Sequence, residues 1–232
     1  LIAELPQPWL TVPGQHELPS HRLPWLNRSA LWVLHQAGAI EVMHGGHSRN
    51  LPWGTVYGMG WGEDPRGIVP KVHPGRHVLL WHRMVWNKAP PFPGADPQGE
   101  ALRLLKSLPQ FDLIVTGDNH QPFEVEHKGR WLINPGPMTR QGTIERDIAP
   151  RVYEWFSKDN TWKVSKFAVD PEVISVAHLS KRVRRDNLGT FAEKLLATSE
   201  DDGLDFEHNL RAYLAAHPQT PAVEDLIWRL IE

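Results

Sequence analysis

The chain contains no cysteine. Disulfides and thiolate metal sites are both excluded, so any metal must be held through nitrogen and oxygen donors. A net positive charge is also lacking: 25 Lys and Arg stand against 27 Asp and Glu, a formal charge of −2. No global basic field announces a nucleic-acid partner, and only local patches remain for that role. No apolar run approaches the roughly 18–20 residues that span a bilayer, and no signal peptide is visible. No membrane association is expected, and the expected compartment is the cytoplasm. Tyrosine is scarce, at 3 residues, whereas tryptophan reaches 11 and histidine 13. Histidine enrichment permits metal or acid–base chemistry. A His, Asp, Glu, Asn and Gln ligand set suits Mn, Fe, Mg or Zn. The 232 residues suffice for one sizeable core, or a core plus a small cap.

Periodicity places the elements. Trp9 to Val12 reads as a buried strand stopped by Pro13-Gly14. Asn27 and Ser29 are candidate caps for a helix to about Gln36, with Gly38 as its stop. Val42-Met43 and Thr55 to Gly60 are short strand candidates. Arg76 to His82 (RHVLLWH) and Phe111 to Thr116 (FDLIVT) are continuous apolar runs, as in central strands covered on both faces. Between them, Gln98 to Leu108 has helical spacing. Phe123 to Val125, Trp131 to Ile133, Val152 to Phe156 and Trp162 to Val169 read as strands paired in hairpins or a meander. From about residue 170 the chain reads as a helical cap, with helices over 188–198, 206–216 and 222–231. The fold class is therefore α/β with layered sheet and helix, residues 1–170 forming the core and 171–232 the cap or docking region.

Three segments carry donor groups: Pro13-Gly14-Gln15-His16-Glu17, His82, and Thr116-Gly117-Asp118-Asn119-His120. Each taken alone has a plainer reading as a polar strand-end turn. All three follow the C-terminal end of a short apolar strand, and in an α/β sheet such ends line one edge. Asp118 and His120 are two apart, which in an extended segment puts both on one face. From the residues alone the reading stops at a hydrolytic metal site.

The order G-Q-H-E at 14–17, His82, G-D-N-H at 117–120, and Asn134-Pro135-Gly136-Pro137 with Arg140 behind it resembles the calcineurin-like metallophosphoesterases. The wording VPGQHELP points more narrowly to SbcD-like DNA repair exonucleases of phage and bacterial type. The resemblance implies a layered phosphoesterase sheet and two divalent metal ions, manganese first, with Mg, Fe or Zn as alternatives. It implies that Gln15, His82 and Asp118 ligate one metal and His120 the other. His16 would be the catalytic histidine that stabilises the transition state or protonates the leaving oxygen. Two departures stand out: Gln for the family's Asn, and Asp for its His. The family's D-x-H and G-D-x-x-D motifs are absent. The chain, which opens on Leu1, is therefore expected to need an N-terminal portion or companion chain that carries them.

A DNA substrate is expected to meet Arg140 and the run Lys181, Arg182, Arg184, Arg185, although a solvated helix start explains that run equally well. The cap is a candidate dock for an SbcC-like ATPase. The expected function is a metal-dependent DNA exonuclease or endonuclease. A phosphoesterase acting on small phosphodiesters or phosphoproteins is the second reading, and a non-catalytic DNA- or partner-binding subunit the third.

Overall fold

Apolar side chains on both faces of Arg76–His82 demand a layer on each side, and the chain supplies them. The computed structural model describes residues 9–70, 74–92 and 95–175, together with 211, 214, 215, 221 and 228. The strands are β1 (Leu10–Thr11), β2 (Glu41–Val42), β3 (His47–Leu51), β4 (Gly54–Met59), β5 (Arg76–His82), β6 (Leu113–Gly117), β7 (Phe123–His127), β8 (Arg130–Asn134), β9 (Arg151–Phe156) and β10 (Thr161–Lys166). Within residues 9–175 the described α-helices are α1 (Ala30–Gln36) and α2 (Ala101–Ser107). The result is a mixed α/β fold built on a six-stranded sheet of order β3-β4-β5-β6-β8-β7. Strands β4, β5, β6 and β8 run parallel; β3 and β7 close the two edges antiparallel.

Period-two alternation divides the apolar residues between the faces. Tyr57, Leu79, Trp81, Ile114 and Leu132 face α2, whose Leu104 and Leu105 pack on them with Phe111. Val56, Val78, Leu113 and Ile133 face the other way, towards Met43, Val12 and the tryptophans 53, 131, 155 and 162. Leu79, Leu105, Phe111, Ile114 and Leu132 are wholly buried. Each such side chain contributes about 1.5–3 kcal/mol relative to exposure.

Local chemistry sets the ends of elements. Ser29 caps α1, its hydroxyl accepting from Trp32 N–H at 3.1 Å, and Gly38 follows with φ +70°. Glu100 caps α2 by accepting from Leu102 and Arg103 N–H, so that helix starts three residues later than its spacing suggests. The β7–β8 turn, Lys128-Gly129, has positive φ at both residues, as a two-residue hairpin turn requires.

The expected series of late hairpins is divided between layers. β7–β8 joins the main sheet, whereas β9–β10 is a separate antiparallel pair packed over one face. Buried Asn160 ties that pair down. Its amide donates to the carbonyls of Asp112 (3.3 Å) and Gly129 (2.6 Å), and its oxygen accepts from Trp155 Nε1. β1 is shorter than expected and, among the described residues, pairs with β2 alone, in parallel.

The chain divides into two units, Leu1–Ile174 and Ser175–Glu232. In the second, Arg211, Leu214, Ala215, Pro221 and Trp228 are helical. Leu214 is buried, and the Arg211 guanidinium lies 4.4 Å from the centre of the Trp228 ring. The expected helix over 188–198 and the basic run Lys181, Arg182, Arg184 and Arg185 lie outside the described residues. Among the described residues no helix is long and apolar enough to cross a membrane.

Candidate functional site

Parallel β5 and β6 end side by side, with His82 and Gly117 as register partners. The turn after β1 comes to the same edge. Trp61 N–H donates to the Pro13 carbonyl at 2.9 Å just past the end of β4. Gly14 then passes directly under the His82 ring. A Cβ on Gly14 would lie 2.6 Å from His82 Cε1 and 2.7 Å from Glu17 Oε2, so no larger residue fits without displacement.

This convergence brings together Gln15, His82 and Asp118. Gln15 Nε2 donates to Asp118 Oδ1 at 2.8 Å, and Gln15 Oε1 lies 2.6 Å from His82 Nε2. His82 Nε2 and Asp118 Oδ1 are 3.9 Å apart. Burial pushes the His82 pKa below its ordinary value, against the opposing pull of the Asp118 and Glu17 carboxylates. A neutral imidazole keeps one nitrogen lone pair, which is the form that binds metals.

The segment after Gly117 is not extended. It bends at Asp118, whose φ of +94° is a strained value for a residue other than glycine, costing about 1–3 kcal/mol. Its surroundings enforce the bend. Asn119 donates to the Val85 carbonyl at 2.7 Å, and fully buried Asn134 donates to the carbonyls of Asn119 (2.7 Å) and Gln121 (2.8 Å). Asn134, the first residue of the Asn-Pro-Gly-Pro segment, thus positions the loop that carries Asp118.

The bend sends Asp118 and His120 to different partners. His120 Nδ1 bonds Glu145 Oε1, while half of the His120 side chain remains exposed. Glu145 is buried, and its other oxygen accepts from the N–H groups of Gln141 (2.6 Å) and Gly142 (3.2 Å). The Gln141 N–H chiefly, and then His120, hold the Glu145 carboxyl below the usual carboxylate range against the effect of burial. Sequence reasoning missed Glu145. Its one local signal is an acid three residues after Gly142, as at a helix start.

Exposed His16 lies edge-on to His21, with ring centres 5.8 Å apart. Arg140 donates to the carbonyls of Arg146 (2.7 Å) and Asp170 (2.8 Å) and so staples two loops. An open cleft of about 440 Å³ borders His82 and Asp118, with Trp61, Trp81 and Phe92 in its walls. Among the described residues no group of three His, Asp or Glu could hold a metal; the cluster reaches three donors through the Gln15 amide.

No family model matches the chain. No curated protein matches it either. One solved crystal structure is similar with 17% identity and a TM-score of 0.45, over 68% of this chain and 65% of that chain. The crystal structure of TT1561 of Thermus thermophilus is similar with 15% identity and a TM-score of 0.42, over 68% of this chain and 72% of that chain.

Proposed function

We propose that the chain is the C-terminal portion of a metal-dependent phosphodiesterase of the calcineurin-like, SbcD-type group, acting on DNA. The observation that carries this reading is the meeting of Gln15, His82 and Asp118, from three separate segments, at one sheet edge. An amide oxygen, an imidazole nitrogen and a carboxylate form a mixed donor set suited to Mn or Mg. They fit one divalent cation, which would replace the two hydrogen bonds that now join them. His120, oriented by Glu145, would serve a second cation, with the remaining ligands supplied by a D-x-H and G-D-x-x-D segment elsewhere. Bound cations would supply charge neutralisation at the phosphate and an activated attacking oxygen. His16, on the exposed turn beside Gln15, would protonate the leaving alkoxide.

A specific observation favours a second reading, a non-catalytic binding subunit. The three clustered donors already satisfy one another by hydrogen bonds, and among the described residues no group of three His, Asp or Glu joins them.

One experiment separates the two. The protein purified gently from its source is weighed by native mass spectrometry and assayed with Mn on linear DNA and on bis-p-nitrophenyl phosphate. The expected outcome is a companion polypeptide with two metals, DNA cleavage, and a loss of about 10²–10⁴-fold in rate for His16→Ala in the complete enzyme. Cleavage of the small diester alone would favour the small-substrate phosphoesterase. Full activity in His16→Ala would overturn the role given to that residue, and a lone 26.5 kDa species without metal would favour the binding subunit.

A further inference from the structure

The cleft beside the cluster has its own chemistry. Its walls are aromatic, and two of the rings are open to solvent: Trp61 is 38% exposed and Phe92 52%. Trp81 is buried behind them, fixed by its Nε1 donating to the Glu63 carbonyl at 3.1 Å. Such rings are large apolar surfaces on which a planar group can stack.

Charge narrows the occupant. The cleft lining includes the carboxylates of Glu63, Asp64, Asp96 and Asp118 against the single guanidinium of Arg83. Arg83 is already engaged, donating to Asp96 at 2.7 Å and lying 4.8 Å from the centre of the Trp81 ring. A phosphate placed in the cleft would meet mostly negative charge. A neutral planar group would instead find aromatic walls and no like charge to oppose it, although Glu63, Asp64, Asp96 and Asp118 already accept hydrogen bonds within the chain. The same cleft ends on His82 and Asp118, two of the three clustered donors.

We propose that this cleft is a nucleobase subsite: it holds the base of the nucleotide whose phosphate lies at the Gln15–His82–Asp118 cluster. The proposal rests on the phosphodiesterase reading for the placement of the phosphate, but base binding itself needs neither metal nor turnover. Stacking on an exposed tryptophan discriminates little between bases, because every base has a π-face. The cleft of about 440 Å³ falls within the roughly 300–1,000 Å³ usual for small-ligand sites.

The test is saturation-transfer NMR and calorimetry on the metal-free 232-residue chain with deoxyadenosine, with deoxyribose 5-phosphate and N-acetyltyrosinamide as controls. Expected are strong transfer to the base protons, weak transfer to the sugar protons, and no binding of the sugar phosphate. Trp61→Ala should weaken deoxyadenosine binding by about tenfold or more, Trp61→Phe much less, and Phe92→Ala should weaken it independently. Phe92 is half exposed, so Phe92→Ala should melt with the parent; Trp61 is more covered, and Trp61→Phe keeps the test decisive if Trp61→Ala melts lower. No deoxyadenosine binding, binding indifferent to both alanine variants, or tighter binding of N-acetyltyrosinamide would overturn the proposal. Intact base binding in a complete enzyme that cleaves no phosphodiester would sink the catalytic reading and leave the base site standing.

Discussion

The two positions proposed as metal donors are built differently. At Gln15, His82 and Asp118, three donors from three segments face one another over a glycine that leaves no room for a side chain. At His120 one donor projects into solvent, held from behind by a buried carboxylate. The first position is a converged set fixed by the sheet edge. The second is one imidazole with a carboxylate behind it, the kind of pairing that fixes the tautomer of a histidine. The contrast teaches that parallel-strand ends can assemble a donor cluster from distant segments, whereas a loop presents its donors singly.

The largest expected effect breaks that contrast directly. Manganese uptake by the chain, read from the loss of the free-Mn signal in electron paramagnetic resonance, should depend on the converged cluster. Asp118→Ala should weaken it by roughly 100-fold or more, a ligand loss exceeding typical outer-shell effects. His120→Ala should change it by less than about threefold, because a single imidazole holds a cation weakly. Equal losses in the two variants would show that the positions share one cation and that the asymmetry is wrong.

A smaller effect sharpens the same contrast through the backbone. Gly14→Ala places a methyl 2.6 Å from His82 Cε1, so the ring or the turn must shift. Overpacking of this kind costs about 1–3 kcal/mol. Gly142, which lends its N–H to Glu145 at the other position, has open space around it and a φ of −128°. Gly142→Ala should therefore change stability by no more than about 0.5 kcal/mol. Urea unfolding of both variants checks this, and a destabilised Gly142→Ala would mean that the second position is as tightly built as the first.

Much of the first position was legible in sequence, and little of the second. β5 carries its apolar residues in one unbroken run, so both its extent and the strand-end place of His82 follow from pattern alone. Gln15 and Asp118 were legible for the same reason, each lying just past a strand. Glu145 was not: it reaches His120 across 25 residues, from a turn with no hydrophobic period to announce it. The bend at Asp118 also escaped, because Thr-Gly-Asp-Asn-His reads equally well as extended chain. Only the buried amides of Asn119 and Asn134 impose the turn. In the fold, β7–β8 and β9–β10 have similar alternation, and nothing local distinguishes a hairpin that extends a sheet from one that covers it. The difference lies in long-range contacts: Trp155 and Trp162 meet Trp53 and Trp131 across the face, with ring centres 5.1 and 5.6 Å apart.

The smallest expected effect concerns the second position alone and depends on pH. The Glu145 pKa in the folded chain lies below its ordinary value of 4.5, chiefly because the Gln141 N–H bonds the charged form. A group so depressed stabilises the fold fully above its unfolded pKa and loses that contribution as pH falls through the folded value. Acidification below about pH 4.5 should therefore loosen the 141–145 turn before the sheet gives way. Amide exchange at Gln141 and Gly142, corrected for its intrinsic pH dependence, should then accelerate several-fold while Leu79 and Ile114 stay protected. Glu145→Gln keeps an acceptor but no charge. It should lose about 1 kcal/mol or less and show the looser turn at every pH, without the acid step. A step that persists in Glu145→Gln would assign the titration to another carboxylate and leave the His120–Glu145 contact without a part in the acid response.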